Sequence, residues 1–142
     1  MIVGIDPGER RVGVAVADLE TRFARPLEVI DRREVDAFGR IAAIVQELGA
    51  ELVVVGRPTG LSGRSGPAVE SQREFVARLT EAVSIQVREF DERFTSVVAD
   101  RGLRSAGVKD KDLKSRRDAV AAQIMLQDYL NATKPPIEGE RA

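Results

Sequence analysis

Three acidic residues fall where they could do chemistry together. Asp6 closes a short apolar run at residues 2–6 and precedes Pro7-Gly8, Glu92 follows Asp91 at the end of a run over 85–90, and Asp118 precedes the apolar stretch AVAAQIML. Carboxylates distant in sequence that converge on one rim repel each other unless a cation sits between them. Two divalent ions about 3.5–4 Å apart, held by such a cluster, activate a water and stabilise the leaving oxygen in phosphodiester hydrolysis. Few other chemistries remain open. The 142 residues include no His and no Cys, which excludes a His general acid, a Ser-His-Asp triad, thiolate chemistry, Fe–S clusters and His-ligated zinc. A metal would be a hard cation on oxygen ligands, Mg2+ or Mn2+. Each acid also has an ordinary reading. Asp before Pro-Gly is a turn residue, Asp91-Glu92-Arg93 can be a solvated turn, and Ser115-x-x-Asp118 fits a capping box.

The elements that must position these acids follow from periodicity. Residues 2–6 and 12–18 read as two strands joined at Asp6-Pro7-Gly8, the second alternating branched and small residues. A third strand over 25–30 belongs at an edge, because Pro26 has no N–H to donate. Val35, Phe38, Ile41, Ala42, Val45 and Leu48 recur at helical steps that end at Gly49. Residues 52–55, Leu-Val-Val-Val, are continuously apolar, the mark of a strand covered on both faces. A loop over 57–67 leads to a helix over 68–83, and residues 85–90 form a fifth strand. Thr95 or Ser96 can cap a helix running to about Ser105, and Ser115 can cap a last helix over 116–130 that lies against the sheet.

Three strands joined by short turns make an antiparallel meander, and the later β-α-β crossovers require parallel pairing. The expected fold is α/β, a mixed five-stranded sheet with strands 1, 4 and 5 parallel and helices on both faces. Ligands of such sheets gather at the carboxyl ends of the strands, where Asp6 and Glu92 fall. Residues 1–133 read as a single domain and 134–142 as a flexible tail.

The formal net charge is −1. It conceals residues 101–117, with seven basic and two acidic side chains, on an otherwise acidic chain. A local basic patch suits an anionic partner. Candidates for phosphate contact are Arg10 and Arg11 in the first turn, Arg57 and Arg64 in the glycine-rich loop, Arg93 beside Glu92, and Lys109, Lys111, Lys114, Arg116 and Arg117 ahead of Asp118. A charge run is also the usual make-up of a solvated face. Six aromatic residues are too few for a base-stacking platform, so nucleic acid would be recognised by backbone and shape. The opening MIVGIDPGERR lacks a signal peptide's basic and apolar regions, and no apolar run reaches the ~18 residues of a membrane span. A cytoplasmic protein with no membrane partner is expected.

GIDPGERRVGVAVAD, VVVGRP, DERFTSVVA and RRDAVAAQIML, in that order, resemble the YqgF (RuvX) family, whose RNase H-like fold is related to Holliday junction resolvases. The resemblance implies a divalent-metal nuclease, with a two-metal site, acting on structured RNA in 5′-end maturation of pre-16S rRNA or on branched DNA. It matches Asp6 to the family's first-strand acid, Glu92 to the Glu of its Asp-Glu-Arg motif and Asp118 to its last-helix acid, and Asp91 is a further candidate ligand. Arg57 stands where the family commonly has Leu. No acid lies in residues 52–55, so Glu92 supplies the strand acid.

Two other functions compete with a nuclease. A non-catalytic nucleic-acid-binding or assembly module would share the basic patch. An actin–hexokinase type phosphotransferase would share the hairpin DPGERRVGVAV but needs two domains closing on its nucleotide. A symmetric junction cut at two points favours a homodimer, whereas trimming one RNA end needs only a monomer.

Overall fold

The computed structural model describes the backbone of residues 1–58, 67–92 and 110–133, with every side chain among them except Pro58, Glu92 and residues 110–117. Its strands are β1 (Ile2–Pro7), β2 (Arg11–Ala17), β3 (Ala24–Asp31), β4 (Leu52–Pro58) and β5 (Gln86–Glu92). Its helices are α1 (Ala37–Leu48), α2 (Pro67–Ala82) and a last helix, here α3 (Asp110–Ala132). The sheet runs β3-β2-β1-β4-β5. The first three strands pair antiparallel, and β1 with β4 and β4 with β5 pair parallel, as the element order requires. β3 is an edge strand, and a bulge at Val14/Ala15 accommodates the stretch around its Pro26. The helix expected over 96–105 and the tail at 134–142 lie outside the described residues.

Strand alternation sorts the chain into two cores. Val3, Ile5, Val12, Val14, Val53 and Val55 pack under α1 and α2, while Ile2, Ala15, Ala17 and Val54 pack under α3. Consecutive valines of β4 therefore serve opposite faces, which is why that strand is apolar throughout. The branched–small alternation of β2 has the same origin: its valines face α1 and α2, and its small residues face α3. With Gly13, Ala15 and Ala17 beneath it, α3 can lie close to the sheet.

Three element boundaries differ from the sequence reading. Val35 is outside α1 and 47% exposed, because the Asp36 side chain caps the helix by accepting from the Phe38 N–H. β4 and β5 pair with each other out to Pro58↔Glu92, so Arg57 lies on a strand rather than in a loop, and β5 runs two residues past Phe90 to end at Glu92. α3 begins at Asp110, placing Ser115 inside the helix and Asp118 in its third turn. The capping-box reading of Ser115 and Asp118 is thereby corrected. In sequence, Asp110 and Lys114, and Asp112 and Arg116, are spaced i,i+4 with the acid N-terminal, an order that favours a helix.

α3 is fixed lengthwise by polar contacts to the β2–β3 connection. The Ala24 N–H donates to Gln127 Oε1 at 2.9 Å, Gln123 donates to the Ala24 carbonyl at 3.1 Å, and Gln127 donates to the Arg22 carbonyl at 3.0 Å. Arg22, at φ 57°, aims its guanidinium at the helix end and donates to the carbonyls of Leu130 and Thr133 at 2.7 and 2.9 Å. A cation suits that end of the helix dipole. Arg22→Ala should lower stability by about 1–2 kcal/mol, and Arg22→Lys by less, in urea unfolding. An unchanged midpoint in Arg22→Ala would show that the clamp is idle.

Candidate functional site at the strand ends

Ile2 and Gly4 of β1 face α3 while Val3 and Ile5 face away. The alternation therefore turns Asp6 toward α3. Across β2, the register partner of Asp6 is Gly13. A Cβ added to Gly13 would run into the Asp118 carbonyl oxygen, so the backbone of Asp118 rests on the strand beside Asp6. The two residues are 112 positions apart in sequence and stand at the same corner of the same sheet face, both partly exposed.

Glu92 enters through β5. Phe90 packs in the α3 core and meets Tyr129 edge-on at 5.6 Å, and Arg88 donates to the Tyr129 hydroxyl at 2.9 Å. Glu89 instead accepts from Gln72 of α2. Arg88 and Phe90 thus belong to the α3 face of β5, and Glu89 to the α2 side. β5 lies two strands from β1, about 10 Å. Val55 pairs with Ile5 on one side and Glu89 on the other, so Glu92 stands two residues beyond Asp6, about 7 Å further along the strands. Gly56, one residue past the last β1–β4 pair, lies between them and adds no side chain on that face.

Among the described side chains, no three of the His, Cys, Asp and Glu residues come together as a metal-holding group. Asp6 and Asp118 are the described members of the expected triad, and the Glu92 carboxylate lies outside the described side chains. The donors are all carboxylates, which fits Mg2+ or Mn2+.

The basic candidates separate. Arg10 pairs with Asp31 at 3.7 Å, and Arg11 opens β2 on the turn after Asp6. Arg57, opposite Asp91 in register, lines a small cavity of about 280 Å3 with Gln72, Arg73 and Glu89 on the α2 face. Lys111, Lys114, Arg116 and Arg117 belong to the first turns of α3 by backbone alone, and Arg64, Arg93 and Lys109 lie outside the described residues. Sequence reasoning missed Gly13, whose signal was a glycine inside a strand, and Gln72. This buried side chain donates to the Gly56 carbonyl at 3.2 Å and so braces the end of β4. A polar residue among the helical apolar steps of α2 was the only trace of it.

A mixed sheet in this order, with helices on both faces, is an RNase H-like fold. The fold is shared with the fowlpox virus Holliday junction resolvase in complex with junction DNA (TM-score 0.57, 12% identity, 94% of this chain and 99% of that one). It is likewise shared with Thermus thermophilus RuvC in complex with a junction (0.56, 18%, 92% and 93%). The chain belongs to the RuvX family, whose model, described as Holliday junction resolvase, matches residues 1–132. A relative from Chloroflexus aggregans is 45% identical over 136 residues, covering 95% of this chain and 96% of its own, and one from Streptomyces coelicolor is 39% identical over 143, covering 96% and 86%. Both carry the name "Putative pre-16S rRNA nuclease". By family the protein is an enzyme of the nuclease class, a phosphodiester hydrolase. No helix among the described residues is long and apolar enough to cross a membrane.

Proposed function

We propose that this chain is a cytoplasmic, divalent-metal-dependent endonuclease that matures the 5′ end of pre-16S rRNA. One observation carries the reading: Asp118 is seated on Gly13, the strand partner of Asp6, which brings two of the three proposed acids to one corner. The names of the relatives at 36–45% identity support the RNA substrate. Resolution of branched DNA is the second reading, favoured by the description of the family model. The RNA reading needs only a monomer, and the junction reading suits a homodimer. A single domain over residues 1–133 carries the activity.

Asp6, Glu92 and Asp118 are the proposed ligands of Mg2+ or Mn2+. Bound there, a pair of such ions supplies a hydroxide nucleophile at neutral pH and charge stabilisation on the leaving oxygen. The chain's own residues do the rest. Gly13 lets Asp118 approach, Gln72 and the Gly56 carbonyl fix the end of β4, and the basic first turns of α3 bring the phosphodiester chain to the acids. Lys111, Lys114 and Asp118 follow one another at i, i+3 and i+7, a single helical stripe.

The deciding experiment is metal-dependent cleavage of precursor 16S rRNA and of four-way DNA junctions side by side. Cutting of neither, with either metal, would overturn both nuclease readings. A second test addresses α3. Replacing Lys114, Arg116 and Arg117 by Gln should weaken binding for all sequences alike and flatten the salt dependence by roughly 0.7–0.9 log units for each phosphate no longer neutralised. An unchanged slope in the folded triple variant would mark the run as a solvated face.

A further inference from the structure

A cleft of about 600 Å3 opens on the α1–α2 side of the β1–β2 turn, within the size range of ligand clefts of about 300–1,000 Å3. One wall is Pro7, Gly8 and Glu9, the residues that follow Asp6, and the other is α2. Phe38 and Phe75 form its apolar floor, with ring centroids 5.0 Å apart. Two guanidiniums lie on that floor, Arg32 at 5.5 Å from the Phe75 centroid and Arg78 at 4.4 Å from that of Phe38. Arg33 also lines the cleft.

Among the described residues none of these three arginines makes an ion pair, unlike Arg10, Arg40 and Arg73. A guanidinium stacked on a ring keeps its N–H donors at its edge, in the planar fork that matches phosphate oxygens. Arg32 spends one donor on the Gly8 carbonyl at 3.0 Å, which ties the cleft to the turn beside Asp6. Arg78 makes no side-chain hydrogen bond among the described residues. Glu9 and Glu74 also line the cleft, so the cationic excess is concentrated at the stacked pair.

We propose that this cleft holds a backbone phosphate of the substrate strand next to the one being cut. The inference rests on the nuclease reading and deepens it. Gly8, on the cleft wall, is two residues from Asp6, at most about 7 Å of chain, so the cleft adjoins the proposed metal corner across the β1–β2 turn. The strand crosses the rim over Pro7-Gly8, with the scissile phosphate on the α3 face and a neighbouring phosphate on the α1–α2 face, gripped by Arg32 and Arg78. Contact to the backbone alone makes this grip indifferent to base sequence.

The test is binding of labelled precursor 16S rRNA and of a labelled four-way DNA junction, in chelator and across a salt series, with cleavage measured separately. Arg78→Gln should flatten the salt slope by roughly 0.7–0.9 and raise Kd roughly three- to fivefold, and Arg32→Gln/Arg78→Gln should do so about twice over on the slope. Arg40→Gln, which removes a cation already paired with Glu28, should leave the slope unchanged. Arg32→Gln also loosens the turn, so Arg78→Gln, which leaves the Arg32–Gly8 hydrogen bond in place, decides the matter if the double variant misfolds. A wild-type protein that binds and cuts, with an unaltered slope in Arg78→Gln, overturns the cleft as a phosphate site and leaves the nuclease reading intact. A wild-type protein that neither binds nor cuts overturns both.

Discussion

Asp6→Asn should bring cleavage to background while the fold and the affinity for nucleic acid stay close to wild type. The amide has nearly the carboxylate's shape and keeps an acceptor oxygen, so the turn at Pro7-Gly8 should survive. What it lacks is the charge that a hard divalent cation requires. Even residues that merely orient metal ligands typically cost 10–100-fold when replaced, so loss of a direct ligand should exceed roughly 100-fold. Affinity should persist because the proposed phosphate contacts are made by arginines and lysines at other positions. The measurements are single-turnover cleavage in Mg2+ and in Mn2+, a Mn2+ titration by calorimetry, and binding in chelator. Wild-type-like hydrolysis in rigorously purified Asp6→Asn protein would reduce Asp6 to a turn residue and end the carboxylate reading. Abolished metal heat together with retained nucleic-acid affinity would separate a metal-dependent enzyme from a binding module.

The fold was legible where each segment carried its own period. The valines of β4 announced a strand covered twice, and Val53 and Val55 do serve one core while Val54 serves the other. Pro26 marked β3 as an edge. Element order then forced β1, β4 and β5 to be parallel. The start of α3 at Asp110 was not legible from apolar spacing, because residues 110–117 include one apolar residue, Leu113, and so carry no apolar period. That shift matters for the site: an acid in a helix's first turn has a ready electrostatic reason to be there, and Asp118 in the third turn does not. The arginine cleft was hidden for a different reason. Arg32 and Arg33 come from the turn after β3 and Arg78 from α2, and nothing in their local sequence shows that Phe38 and Phe75 will stack beneath them. Contacts between elements distant in sequence leave no period behind.

Gly13→Ala is the second substitution expected to have a large effect, and it tests the site through the backbone rather than through a carboxylate. The added methyl group would meet the Asp118 carbonyl, and that oxygen cannot swing aside as a flexible side-chain end can. Either α3 lifts from β2 at Asp118 or the strand bends away beneath it. Overpacking a tight contact costs about 1–3 kcal/mol, occasionally more, and at roughly 2–4 °C per kcal/mol for a domain of this size the melting temperature should fall by about 6–12 °C for a 3 kcal/mol destabilisation. Gly4→Ala supplies the comparison. Its methyl group would lie 2.9 Å from Leu126 Cβ, two turns along α3, so it also strains the packing but leaves Asp118 seated. Both variants should therefore melt lower. Below either transition, Gly4→Ala should retain most of its cleavage rate and its Mn2+ binding, whereas Gly13→Ala should lose both, because Asp118 no longer stands beside Asp6. Equal activity in the two folded variants would show that the seating of Asp118 on Gly13 is packing alone, and that the corner the two acids share is not where the metal is held.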